Sequence, residues 1–136
     1  MLLNLKAFQY ATLLDLNMVY YHIRLSKEES NLRTIILPWG KYKYKHLPMG
    51  VCNSSDIFQD KMNEMFRVIE FIRAYIDELL TITKVDWSDH FNKLELLLKN
   101  LRANGHKFNM KRLFFGHTKM EYLGFWVTGT GIQPVN

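Results

Sequence analysis

Phe71-Ile72-Arg73-Ala74-Tyr75-Ile76-Asp77-Glu78-Leu79-Leu80-Thr81-Ile82-Thr83 is two apolar runs with a pair of carboxylates between them. β-Branched and aromatic residues favour strands, and an unpaired Asp-Glu pair buried inside one would be costly. The expectation is two strands joined by a tight hairpin turn holding both Asp77 and Glu78. Period two along the first run places Arg73, Tyr75 and Asp77 on one face. A third carboxylate, Asp15, closes another strand-like run, Tyr10 to Asp15, about sixty residues earlier.

Outward from this hairpin the chain alternates strands and helices. Tyr20 to Leu25 reads as a strand after a bend at Asn17, and Thr34 to Leu37 as another, ending in the turn Pro38-Trp39-Gly40. Lys41 to His46 then alternates with period two, which puts Lys41, Lys43 and Lys45 on one face. Leu47-Pro48-Met49-Gly50 breaks the strand, and Asn53, Ser54 or Ser55 can cap a helix packing through Phe58, Met62, Met65 and Ile69. Asp86 or Ser88 caps a second helix with the stripe Phe91, Leu94, Leu98 and Leu101, closed at Asn104-Gly105. A short strand near Phe108, a loop, and a strand from Tyr122 to Val127 before Gly129-Thr130-Gly131 complete the pass. This order predicts an α+β fold in a single domain.

The 136 residues carry 18 Lys and Arg against 13 Asp and Glu, a formal charge of +5. Polyanions are therefore attracted, most of all to Lys99, Arg102, Lys107, Lys111, Arg112 and Lys119, a stretch with no acidic residue before Glu121. One cysteine, Cys52, excludes an internal disulfide, and neither it nor the five histidines has zinc-ligand spacing. Apolar runs fall short of the ~20 residues of a bilayer span, so a soluble, intracellular protein without membrane partners is expected.

Asp15, Asp77 and Glu78 carry the candidate chemistry. Three converging carboxylates repel one another unless divalent cations neutralise them, and hard oxygen donors suit magnesium or manganese. Two such ions, about 3.5 to 4 Å apart, clamp the attacking and leaving oxygens of a phosphoryl transfer. The plainer alternative is a solvated turn and a strand end facing water.

The chain also resembles a family, the reverse transcriptases of gypsy-type long-terminal-repeat retrotransposons. Asp15-Leu16-Asn17-Met18-Val19-Tyr20-Tyr21-His22-Ile23 looks like the family's first catalytic block. Pro38-Trp39-Gly40 with Tyr42, then Leu47-Pro48-Met49-Gly50 with Asn53, Phe58 and Gln59, look like its fingers hairpin and nucleotide-pocket block. Tyr75-Ile76-Asp77-Glu78 falls where the family has Tyr-x-Asp-Asp. Gly105 to Phe115 resembles the next block, and Glu121-Tyr122-Leu123-Gly124-Phe125 the primer grip. Five blocks in the family's order span nearly the whole chain, which is far more specific than any one alone.

The resemblance implies a polymerase palm, an antiparallel sheet packed on two helices, with a partial fingers hairpin. On this view residues 1–136 are a reverse transcriptase fragment whose N-terminal fingers and thumb are missing, cut from a polyprotein working in the cytoplasm, in a virus-like particle. The implied activity is RNA-directed DNA synthesis, with RNA or DNA template, primer and deoxynucleoside triphosphates as partners and two Mg²⁺ or Mn²⁺ ions as cofactors. Asp15 and Asp77 match the bridging metal ligands, with the Leu16 carbonyl beside them; Glu78 is either an outer ligand or an ordinary turn residue. Tyr20 matches the aromatic that excludes a ribose 2′-hydroxyl, and Met49 and Gly50 the nucleotide pocket, where glycine admits close backbone approach. Lys111 lies where a lysine protonates the leaving pyrophosphate, or else contacts a phosphate. Tyr75, Arg73, Tyr122, Leu123 and Gly124 match primer and template contacts, although Arg73 can instead pair with the carboxylates. Lys41, Lys43 and Lys45 either follow template backbone or guard an edge strand.

Three residues depart from the pattern. Glu78 replaces the second aspartate, moving its carboxylate outward by one methylene; Ser55 replaces a proline and Val19 a small residue. Because the resemblance makes the second carboxylate the lesser metal ligand, Glu78 bears on efficiency more than on identity. The readings that compete with an active polymerase are a relic that binds nucleic acid without turnover and an unrelated basic interaction domain.

Overall fold

The computed structural model describes residues 7–17, 23–50 and 53–135. Its frame is a four-stranded antiparallel sheet in the order β4-β5-β1-β6, formed by β1 (Tyr10–Asp15), β4 (Ile72–Tyr75), β5 (Glu78–Thr83) and β6 (Phe114–His117). β1 and β5 pair in unbroken register from Tyr10↔Thr83 to Asp15↔Glu78. Both are buried along almost their whole length, because the sheet is covered on two sides, and strands buried on both faces read as continuous apolar runs.

One face packs on α2 (Ser54–Phe66) and α3 (Trp87–Ala103). Leu14, Leu16, Ile72, Ala74 and Leu79 meet Phe58, Met62 and Phe66 of α2 and Leu94, Leu97 and Leu101 of α3. The other face holds Ala11, Leu13, Leu80 and Ile82 against Met120, Tyr122 and Val127. That cover is a second, three-stranded antiparallel sheet of β7 (Lys119–Tyr122), β8 (Phe125–Thr128) and β9 (Gly131–Pro134). A short helix α1 (Lys27–Leu32) and a separate hairpin of β2 (Thr34–Leu37) and β3 (Gly40–Lys43) complete the described elements. The α+β palm with two helices and a fingers hairpin is thus present as expected, and among the described residues no helix is long and apolar enough to cross a membrane.

Several local expectations are corrected. Glu78 is not in the turn: Ile76 and Asp77 alone form it, and Glu78 opens β5 opposite Tyr75. The inward stripe of α3 is His90, Leu94, Leu97 and Leu101, whereas Phe91 is 52% exposed. The helix is turned so because Thr12 Oγ1, 2.7 Å from His90 Nε2, and Thr83 Oγ1, 2.8 Å from Nδ1, satisfy both ring nitrogens of a fully buried histidine. Asp86 does cap α3, its carboxylate accepting from the Asp89 amide. Asn53 occupies the α2 N-cap position without a side-chain cap bond.

The loop expected after Phe108 contains a single 3₁₀ turn, Met110–Arg112, followed by β6. Tyr122 to Val127 is two strands and not one, since Leu123 (φ 52°) and Gly124 (φ 76°) reverse the chain between β7 and β8. Residues 20–22 of the expected Tyr20 to Leu25 strand lie outside the described residues, and Arg24 makes only an isolated bridge to His46. β3 ends at Lys43 rather than His46.

Candidate active site

Asp15 ends β1, Glu78 begins β5, and the two are register partners, so their side chains leave the sheet on the same face. Asp77 is tied beside them by its carbonyl, which accepts from the Leu16 amide at 2.7 Å. Three carboxylates thereby share one end of the sheet. Burial and neighbouring charge act together on Asp15 and Glu78. Burial, with the charge of Asp77 adding to it, pushes the Asp15 carboxyl above its ordinary range even though Arg112 opposes the shift. Burial again, then the charges of Asp77 and Asp15, push Glu78 up.

Arg112 is the counter-charge. The Asp15 carbonyl accepts from the Asn109 amide at 2.7 Å, which anchors the 3₁₀ turn beside β1, and an Arg112 guanidinium nitrogen lies 2.6 Å from an Asp15 carboxylate oxygen. Arg112 is mostly exposed while the Asp15 side chain is 10% exposed, so water screens the pull of the cation while burial penalises the charge of the anion. Burial therefore wins the contest over the Asp15 proton. Arg73 does not pair with the carboxylates; its guanidinium donates to the Ile72 and Glu70 carbonyls at its own strand start. Lys111 is exposed, with its amide bound to the Asn109 side chain, and it is Arg112 beside it that pairs with Asp15.

A cleft of about 670 Å³ opens beside the cluster, lined by Tyr75, Asp77, Glu78, Arg112, Leu123 and Trp126 among others. Tyr75 is 43% exposed there. Leu123 and Gly124 form the opposing tip, whereas Tyr122, expected at the same surface, is buried in the core with its phenol unpartnered. Strand alternation turns Tyr122 inward with Met120, and burial, then Glu78, push its phenol up. Met49 is exposed, and Gly50 has φ 87° with open space where a Cβ would stand, so that glycine answers to backbone conformation rather than to crowding. Tyr20 lies outside the described residues.

The turn that carries Asp77 is strained. Ile76 has φ 49°, a region that β-branched residues rarely enter and that costs on the order of 1–3 kcal/mol. Gln59 of α2 meets it: the Ile76 amide donates to Gln59 Oε1 at 2.6 Å, and Gln59 Nε2 donates to the Ala74 carbonyl at 3.0 Å. The resemblance places Gln59 in the nucleotide-pocket block, but its bonds to the acidic turn are not foreseen, because a polar residue beside a core stripe looks like any helix surface position.

The donor chemistry of Asp15, Asp77 and Glu78 fits Mg²⁺ or Mn²⁺: all are hard oxygen ligands whose crowding a dication would relieve. Among the described residues no group of three or more Asp, Glu, His or Cys side chains is drawn together closely enough to hold a metal ion.

Sheet, helices and acidic turn together define a polymerase palm. Residues 2–127 match the reverse transcriptase (RNA-dependent DNA polymerase) family, and the chain belongs to it. It is similar to the Retrovirus-related Pol polyprotein from transposon gypsy of Drosophila melanogaster, 29% identical over 97% of this chain and 13% of that protein. It is also similar to the corresponding polyprotein from transposon opus of the same organism, 28% identical over 92% of this chain and 13% of that one. These relatives accord with the gypsy-type resemblance. The fold matches a foamy viral protease-reverse transcriptase solved in complex with an RNA/DNA hybrid, with a TM-score of 0.86 at 24% identity over 98% of this chain and 18% of that one. The chain thus spans a small part of the relatives it resembles.

Proposed function

We propose that this chain is the catalytic palm of an RNA-directed DNA polymerase, which extends a primer 3′-hydroxyl with deoxynucleotides along an RNA or DNA template. The observation that carries this reading is the meeting of Asp15, Asp77 and Glu78 at one end of the sheet, beside an open cleft. Residues 1–136 then form palm and part of the fingers, and other segments of a polyprotein supply the remaining fingers and the thumb. The setting is cytoplasmic, within a virus-like particle.

Asp15 and Asp77, with the Leu16 carbonyl, would hold two Mg²⁺ or Mn²⁺ ions, and Glu78 would serve as an outer ligand. When bound, such ions lower the barrier to in-line displacement by neutralising charge on the reacting oxygens. The chain's own groups do the rest. Arg112 holds Asp15 in place and leaves it as the site fills, which costs little because the guanidinium is already largely in water. Tyr75 and the Leu123–Gly124 tip flank the cleft on the side where a primer would lie. Met49 and Gly50, with Tyr20, would form the nucleotide pocket, and Lys111 stands exposed to meet a phosphate. The relative solved with an RNA/DNA hybrid supports that choice of partner.

The test is primer extension on an RNA template, with fingers and thumb supplied from a related element, comparing wild type with Asp77→Asn. Synthesis lost in the variant supports the reading. Wild-type binding that weakens with salt but yields no extension in either metal would instead identify a relic. The chain alone should extend primers feebly or not at all, because positioning by the absent parts supplies most of the rate in phosphoryl transfer.

A further inference from the structure

We propose that Gln59 is a positioning residue for the acidic turn: its carboxamide locks Ile76 in the left-handed conformation and so fixes the direction in which Asp77 presents its carboxylate. The inference deepens the polymerase reading and rests on it for the role of Asp77.

Gln59 sits on α2, and its side chain reaches under the β4–β5 hairpin. Its two bonds bracket the turn, one to the Ala74 carbonyl within β4 and one to the Ile76 amide at the first turn position. These partners also orient the carboxamide, since only oxygen can accept from an amide N–H and only the NH₂ can donate to a carbonyl. A third bond, from Gln59 Nε2 to Asn63 Oδ1 at 2.9 Å, holds the side chain along its own helix.

The need for a clamp lies in the turn itself. In a two-residue hairpin with positive φ at the first central position alone, glycine is the usual occupant. Here the position holds isoleucine, at φ 49°, and Asp77 follows it. Relaxation of Ile76 to negative φ would rotate the peptide joining it to Asp77. That rotation would pull the Asp77 carbonyl from the Leu16 amide, which it meets at 2.7 Å, and would swing the carboxylate away from Asp15. Gln59 bonds directly to the strained residue, while the Leu16 contact secures the far side of the turn. Helix α2, which is packed into the core through Phe58 and Met62, thus reaches the chemistry through one side chain.

Amide hydrogen exchange on the full chain tests the proposal without reference to catalysis. In Gln59→Leu the Ile76 and Leu16 amides should exchange about tenfold faster or more, while Leu13 and Leu80 amides in the sheet centre keep their rates. If Gln59→Leu loosens the whole sheet, Gln59→Asn decides: it keeps the polarity but is one methylene too short to span Ala74 and Ile76, and the same selective loss should appear. Unchanged Ile76 protection in a folded Gln59→Asn chain overturns the proposal. In the completed polymerase, Gln59→Leu should lower kcat for single-nucleotide incorporation about tenfold with little change in the nucleotide KM. In an Ile76→Gly background, where the turn needs no clamp, the same change should cost less than about twofold. An equal cost in both backgrounds also overturns the proposal. Selective exchange effects in a chain whose completed form makes no DNA would leave the clamp standing and remove the polymerase reading instead.

Discussion

Two hairpin turns of this molecule place an aliphatic residue at positive φ, and they do so on different terms. Between β7 and β8, Leu123 at φ 52° is followed by Gly124 at φ 76°. Positive φ at both central positions suits the right-handed twist of a hairpin, and glycine takes the second without strain. The Gly124 carbonyl also accepts from the Val135 amide, so neighbouring backbone holds the tip. Between β4 and β5, Ile76 at φ 49° is followed by Asp77, no glycine shares the distortion, and a helix side chain must secure it. The first turn is made by its own residues. The second is imposed from outside, which is what a residue needed for its direction rather than for its fit would require.

The widest gap between the turns should appear in Asp77→Asn. In the completed polymerase, loss of that charge removes several kcal/mol of transition-state stabilisation, about a thousandfold or more in single-nucleotide incorporation, while the melting temperature of the chain stays level or rises. An active Asp77→Asn enzyme would break the contrast at its root. Glu78→Asp should act in the opposite sense and raise the rate up to about tenfold, because it shortens a carboxylate that already has the right charge. Manganese should narrow that gain, being less strict about geometry than magnesium. A slower Glu78→Asp enzyme would show that Glu78 does not err in reach.

Gly124→Ala probes the other turn. Its added Cβ meets nothing within 4 Å, so only the left-handed backbone objects, at roughly 1–2 kcal/mol of folding stability in urea unfolding. No loss there would mean the β7–β8 turn can relax and is not self-made. The smallest effect concerns charge. Because the folded-state pKa of Glu78 is raised, the folded chain binds its proton more tightly than the unfolded chain, so ionisation costs stability as pH climbs past the unfolded value toward the folded one. Metal-free Glu78→Gln should therefore melt a few degrees above wild type at neutral pH, and the advantage should vanish below about pH 4, where both forms are neutral. A lower melting temperature at neutral pH would place Glu78 in a stabilising ion pair.

What the sequence made legible follows from which signals are local. The apolar runs at Tyr10–Asp15 and Glu78–Thr83, the Phe58 and Met62 part of the α2 stripe and the Asp86 cap are all written in near neighbours, whereas Ile69 lies beyond the helix end and Phe66 takes the buried position; the three carboxylates stand out because their burial has no cheap explanation. The capping box of α1, with Ser26 and Glu29 bonding each other's backbone amides, is equally local and is written in Ser26-Lys27-Glu28-Glu29, although the apolar patterning gives no sign of so short a helix. His90 was not legible as core, since its acceptability depends on Thr12 and Thr83, one of them 78 positions away. The bonds of Gln59 to the turn and the pairing of Arg112 with Asp15 are illegible for the same reason: their partners are a backbone amide in another element and a strand end remote in the chain.

The placement of β1 at the middle of the sheet has a consequence for how the protein acquires its shape. Ala11 pairs with Ile82 on one side and with His117 on the other, so β1 waits for partners that lie much later in the sequence. Such distant pairings slow folding, because long loops must close before any contact rewards them. During synthesis the run Ala11-Thr12-Leu13-Leu14 stays bare until β5 emerges, and keeps an open edge until β6 does. In that interval it is a strand in search of any neighbour, including another copy of itself.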